Sequence, residues 1–197
     1  MFNSEFDDLG AKKIDFYPKA LQSEIDRVID AIYQPINNGV YRSGFATSQR
    51  AYNEAVTTLF SALEQWEAIL ENQRYLCGDR LTLADWCLFT TLFRFDLAYH
   101  GLFKCNIKRL IDFPNLWNYC RELYQYANVR SVCRADHVQR LYYAGLSELN
   151  PAGVIPAGPA IDFEQLHTRG LIGEMAIPCR TKHESQVGRE RLRKSRS

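Results

Sequence analysis

No apolar run in this 197-residue sequence approaches the roughly 18 residues that a membrane-crossing helix needs, and no secretory signal pattern is present. An excess of charge of one sign is missing too. The 24 Lys and Arg nearly cancel the 23 Asp and Glu, so the chain as a whole carries no electrostatic footprint for nucleic acid or an acidic membrane. The six cysteines, at positions 77, 87, 105, 120, 133 and 179, include no Cys-x-x-Cys spacing. The four histidines, at 100, 137, 167 and 183, stand at no metal-ligand interval from them. Metal and redox-pair chemistry therefore have no visible carrier, and the cysteines read as reduced, mostly buried thiols of a cytoplasmic protein. No segment alternates apolar and polar residues with a period of two, which argues against a sheet.

What remains is helical. Apolar residues make up 46% of the chain and aromatics 13%, ample for a packed core. The organising stretch is Gly78-Asp79-Arg80-Leu81-Thr82-Leu83-Ala84-Asp85-Trp86. Thr82 and Asp85 are spaced as a capping box, each side chain able to bond the other's amide, with the carboxylate at the positive helix end. The residues that follow, Cys87 to Phe93, are apolar on nearly every side, which predicts a central, buried helix ending near His100-Gly101. Ahead of it, Leu21, Ile25, Val28, Ile29, Ile32 and Ile36 recur at helical spacing, with Asn37-Asn38-Gly39 as a stop. A second helix is predicted from about Ser48 to Glu71. A shorter one opens at Asp112-Phe113-Pro114, and a last one runs from about Val129 to Tyr143. Five helices with short connections predict an all-α bundle.

Residues 144–160 hold three prolines and three glycines and read as a surface loop. The last ten residues carry five basic groups against one acid, the pattern of a solvated tail. Two segments bear polar aromatics that could do chemistry. Val40-Tyr41-Arg42-Ser43-Gly44-Phe45-Ala46 falls between the first two predicted helices, where the Tyr41 phenol either packs at a helix junction or donates to a ligand oxygen. Tyr142 and Tyr143 follow Asp136-His137-Val138, and adjacent helical residues point about 100° apart, so at most one of the pair faces a given cleft. Arg94 and Asp96 are charges inside an apolar segment and need partners, from a loop first and a ligand second.

The capping box with its surroundings resembles that of the glutathione transferase C-terminal domain. Taken with MFNSEFD, NNGVYRSGFATSQ, LFRFDLAYHGLFKCN, ADHVQRLYY and LNPAGVIPAGP, the sequence resembles more narrowly the glutathionyl-hydroquinone reductases, the Xi class, which are omega-like glutathione transferases. One departure is Leu141, where the family pattern has a histidine. The resemblance implies an enzyme that reduces glutathionyl-hydroquinones to hydroquinones with glutathione as co-substrate. A thioredoxin-like N-terminal domain, of which this sequence has no Cys-Pro motif or strand pattern, would carry the catalytic cysteine and most of the glutathione site. Carried over residue by residue, Tyr41 and Tyr142 are the catalytic and substrate-binding phenols, with Tyr143 a further substrate contact, and Thr82 and Asp85 form the structural N-cap. The implied organisation is an interdomain linker at 1–14, the helical domain at 15–143, a Pro/Gly-rich loop and extension at 144–170, and a basic tail at 171–197. The implied partners are a small aromatic substrate and a second copy of the chain through the helical domain. The competing readings are a transferase of another, omega-like class and a non-catalytic interaction module.

Overall fold

The computed structural model describes residues 14–172. All but the last residue of the expected linker, and nearly all of the expected basic tail with Cys179, lie outside the described residues. Among the described residues there are eight helices and no strands, only isolated bridges pairing Tyr75 with Gly78 and Cys77 with Arg80. The longer helices are α1 (Gln22–Ile32), α3 (Gln49–Asn72), α4 (Leu83–Arg94) and α6 (Pro114–Gln125). Shorter pieces are α2 (Gly39–Gly44), α5 (His100–Leu102), α7 (Val129–Val132) and α8 (Ala135–Gln139). No helix among the described residues is long and apolar enough to cross a membrane.

Helix α4 runs through the middle, packed on α1 and α6, while α3 lies against α2 and α6. Its start is the predicted capping box, and it is fully buried: Thr82 and Asp85 expose nothing. The Asp85 carboxylate accepts from the Thr82 amide at 2.7 Å and the Thr82 hydroxyl at 3.1 Å. It also accepts from the Leu76 amide and from the Tyr119 hydroxyl of α6, each at 2.8 Å. One carboxylate thus ties the turn before α4 and a neighbouring helix to its N-terminus. Helix α3 is capped at Ser48, whose hydroxyl accepts from the Ala51 amide at 3.2 Å. Asp96 finds its partners in a loop, accepting from the amides of Leu110 at 2.6 Å and Ile111 at 3.3 Å.

Three expectations need correction. Asn37-Asn38-Gly39 does not stop the first helix. Pro35 lacks the N–H that an α-helical turn would use, so the chain widens into a π-type turn over Tyr33–Asn37 and continues as α2. Tyr41 therefore sits on a helix, not on a loop. The predicted helix from Val129 to Tyr143 is broken at Cys133-Arg134 into α7, α8 and a π-type turn over Arg140–Ala144. Helix α7 buries no residue, and Val132 is 77% exposed, so no apolar face holds that turn in register with the next. Cys133, expected inside a helix, lies between two. Past residue 160, where the pattern is weak, the chain returns over the bundle: Phe163 joins the core against Phe93, Tyr124 and Trp117, with ring centres 5.0–5.3 Å apart.

One close approach sets how α2 meets α5. A Cβ on Gly44 would stand 2.4 Å from the Phe103 ring, so only glycine lets the α2 backbone lie on that aromatic. Gly44→Ala should destabilise the protein by about 1–3 kcal/mol, as overpacking does. A chemical-denaturation midpoint equal to that of the wild type would refute this contact.

Candidate functional site

Helix α2 and two of the three π-type turns aim phenols from distant segments at one point. Tyr41 comes from α2, Tyr99 from the turn Phe95–Tyr99 that extends α4, and Tyr142 from the turn Arg140–Ala144. The Tyr41 and Tyr142 hydroxyls are 2.6 Å apart, those of Tyr99 and Tyr142 2.8 Å, and those of Tyr41 and Tyr99 3.3 Å. Phe103 closes the cluster from below, 5.3 Å from the Tyr41 and Tyr99 rings and 5.7 Å from that of Tyr142. Above it opens a cavity of about 340 Å³, also lined by Asn37, Thr91, Arg94 and Leu141.

Three phenols bring three protons to two short contacts. Tyr99 and Tyr142 are 2% and 7% exposed, while Tyr41 is 38% exposed. When the buried pair donate outward, Tyr99 to Tyr142 and Tyr142 to Tyr41, both short contacts are used and the Tyr41 proton is left for the cavity. Burial and the hydrogen bond with Tyr41 push the Tyr142 hydroxyl up to about 12, against the opposing effect of Tyr99, and burial pushes Tyr99 higher still. At neutral pH the buried pair, Tyr99 and Tyr142, are therefore preorganised neutral donors. Arg94 stands beside it, donating to the Thr90 carbonyl at 2.6 Å, and no ion pair to it is present among the described residues.

Tyr41 and Tyr142 thus converge. Tyr143 does not join them: its hydroxyl faces the backbone of α5, so close that a Cβ on Gly101 would stand 2.4 Å from it. Tyr99 was not singled out from the sequence, because seven residues beyond Leu92 it reads as one more core position of α4; its only signal was the polar tip on an apolar helix. The described cysteines are not activated toward the thiolate. Burial raises the thiols of Cys77, Cys87, Cys120 and Cys133 above their ordinary value and pushes Cys105 up to about 12.

A capped helix buried at the centre of a helical bundle, with converging phenols at one end, is the arrangement of a domain of the glutathione transferase type. Residues 49–122 match the family model described as glutathione S-transferase, C-terminal domain. The chain is 46% identical over 171 residues to glutathionyl-hydroquinone reductase YqjG of Escherichia coli, covering 87% of this chain and 52% of that one. It is 47% identical over 160 residues to glutathionyl-hydroquinone reductase PcpF of Sphingobium chlorophenolicum, covering 81% and 51%. Among solved structures, a Xi-class transferase from Natrialba magadii superposes with a TM-score of 0.84 at 48% identity, covering 86% of this chain and 52% of that one. YqjG solved with glutathione bound also superposes at 0.84, covering 87% and 56%. The chain is similar to glutathionyl-hydroquinone reductases and to Xi-class glutathione transferases, and it spans about half the length of the relatives it matches.

Proposed function

We propose that this chain is the substrate-binding part of a glutathione-dependent reductase that converts glutathionyl-hydroquinones to hydroquinones. In this reading a cysteine thiolate on a thioredoxin-like domain, which also binds most of the glutathione, attacks the sulfur of the conjugate. The carbon–sulfur bond breaks, its electron pair passes to the ring, and the ring carbon takes up a proton. The resulting mixed disulfide with glutathione is opened by a second glutathione thiolate, which leaves as glutathione disulfide. Tyr41 donates toward a ring oxygen, and Tyr142, by donating to Tyr41, holds that phenol in place and supports it as negative charge grows on the oxygen while the bond breaks. The observation that carries the reading is the phenol cluster, three hydroxyls within 3.3 Å of one another beside a cavity, in which donation from Tyr99 to Tyr142 and from Tyr142 to Tyr41 frees the Tyr41 proton for a ligand. The raised thiols of the described cysteines support placing the nucleophile elsewhere. The protein is further read as a homodimer through the helical domain.

Purified chain mixed with a glutathionyl-hydroquinone and excess glutathione should release no hydroquinone above the buffer rate, and should sediment as a dimer at tens of micromolar. Fused behind the thioredoxin-like domain of a relative, it should turn over, and Tyr142→Phe should lower kcat/KM about 10- to 100-fold, the worth of one hydrogen bond to a charged group. Turnover by the isolated chain, abolished by a single Cys→Ser change, would overturn the reading.

A further inference from the structure

A second cavity, of about 350 Å³, lies between α4 and the α7–α8 segment. Its floor is apolar, made by Phe89 and Phe93 of α4 and Val138 of α8, all nearly buried, with Val129 and the exposed Val132 along one edge. It shares Thr90, Arg94 and Leu141 with the phenol cavity, so the two spaces have a common wall. On that wall Leu141 is 66% exposed, a large apolar side chain held in water on the turn just before Tyr142. The polar side chains that also line it have partners of their own: Arg134 pairs with Asp136 at 3.2 Å, His137 lies 3.8 Å from the same carboxylate, the Thr90 hydroxyl donates to the Cys87 carbonyl at 3.1 Å, and Arg94 lies back along its own helix on the Thr90 carbonyl. An occupant that reaches this groove from the phenols must pass over Leu141, and it then meets carbon on three sides.

We propose that this groove is a second compartment of the same site, one that receives an apolar substituent of the ring held by the phenols, with Leu141 as the residue that selects for it. The proposal rests on the reading of the phenol cavity given above, and it narrows the substrate class to hydroquinones bearing an alkyl or comparable apolar arm. Leu141 and Tyr142 are adjacent and point to different walls, so the ring and its arm are gripped by consecutive residues of one turn. Shortening or removing the arm leaves the groove wet, whereas a polar arm is desolvated against Phe89 and Phe93 without hydrogen-bond partners. Burial of about two to four methylenes is worth at least tenfold in affinity.

The test uses the full chain, with hydroquinone and n-hexylhydroquinone as probes, followed by ligand-observed NMR titration and by mass-spectrometric footprinting of Cys133. This half-buried thiol lines the groove and not the phenol cavity. The hexyl compound should bind at least tenfold more tightly than hydroquinone and should slow alkylation of Cys133, which hydroquinone itself should not do. Leu141→Gln should remove most of the gain, and Val138→Ala, which widens the floor and lies outside the phenol cavity, should weaken the hexyl compound while leaving hydroquinone affinity within about twofold. Hydroquinone binding that is unaffected by Tyr142→Phe would defeat the reading of the phenol cavity. Hydroquinone binding that does depend on Tyr142, with no gain from the arm or with a gain indifferent to Leu141 and no protection of Cys133, would defeat the second compartment alone.

Discussion

Asp85→Ala should remove most of the stability of the fold, far more than loss of a helix cap. A single N-cap is worth about 0.5–2 kcal/mol, and Thr82→Ala should fall in that range. Asp85 does more, because its carboxylate is the acceptor for the Thr82 and Leu76 amides, the Thr82 hydroxyl and the Tyr119 hydroxyl, all buried. Truncation leaves donors in the centre of the bundle with no water to replace the oxygen, at about 1–3 kcal/mol for each orphaned group. A total of about 4 kcal/mol or more is a large share of the 5–15 kcal/mol typical of whole domains. Burial raises the Asp85 carboxyl above its ordinary value, and the hydrogen bonds donated to it offset part of that rise by favouring the charged form. Thermal melts should place the Asp85→Ala midpoint roughly 8–16 °C below the wild type, or show no cooperative transition, with Thr82→Ala clearly milder. Equal losses for the two variants would reduce Asp85 to an ordinary cap.

Glu122→Ala should be comparably severe, for a reason that lies in the returning C-terminal segment. Arg169, on the short 3₁₀ turn Arg169–Leu171, is completely buried and plugs the end of α3. It donates to the carbonyls of Leu70 at 2.5 Å and Gln73 at 2.6 Å, and also to that of Arg74. These are carbonyls left open where α3 ends at Asn72 and the chain turns away. Its charge is balanced by Glu122, whose Oε2 faces the Arg169 Nε at 3.7 Å. The other Glu122 oxygen accepts from Arg74 at 2.7 and 2.9 Å and from the Tyr75 hydroxyl at 2.8 Å. Removing Glu122 strands a buried guanidinium, which costs about 3–5 kcal/mol. Arg169→Met should cost less, since Arg74 still serves Glu122 and methionine fills part of the space. The double variant should lose at least about 1 kcal/mol less than the sum of the singles, because a carboxylate and a guanidinium in contact do not act independently. Additive losses in denaturant titrations would show that the ion pair carries no coupling.

The parts of this protein that follow from the sequence alone are those set by neighbours along the chain. Thr82 and Asp85 are three residues apart, and any helix starting there brings their polar groups together, so the central element was readable before any packing was known. Helix α3 was likewise written in its period and its Ser48 cap. The convergence of Tyr41 with Tyr142 was reached only through family-specific stretches, since nothing local relates residues 101 positions apart. Tertiary structure alone decided the rest. Tyr99 enters the phenol cluster because a π-type turn inserts an extra residue into the helical register after Arg94, rotating a side chain that would otherwise read as core. The continuation of the first helix through Pro35, which moves Tyr41 from a loop onto α2, depends on the face that α2 finds against α3. Arg169 lies in a stretch whose pattern is weak, and its burial follows from open carbonyls at the end of α3 and a carboxylate on α6. Local sequence sets which turn forms, but which distant group satisfies a buried charge is settled only when the helices are packed.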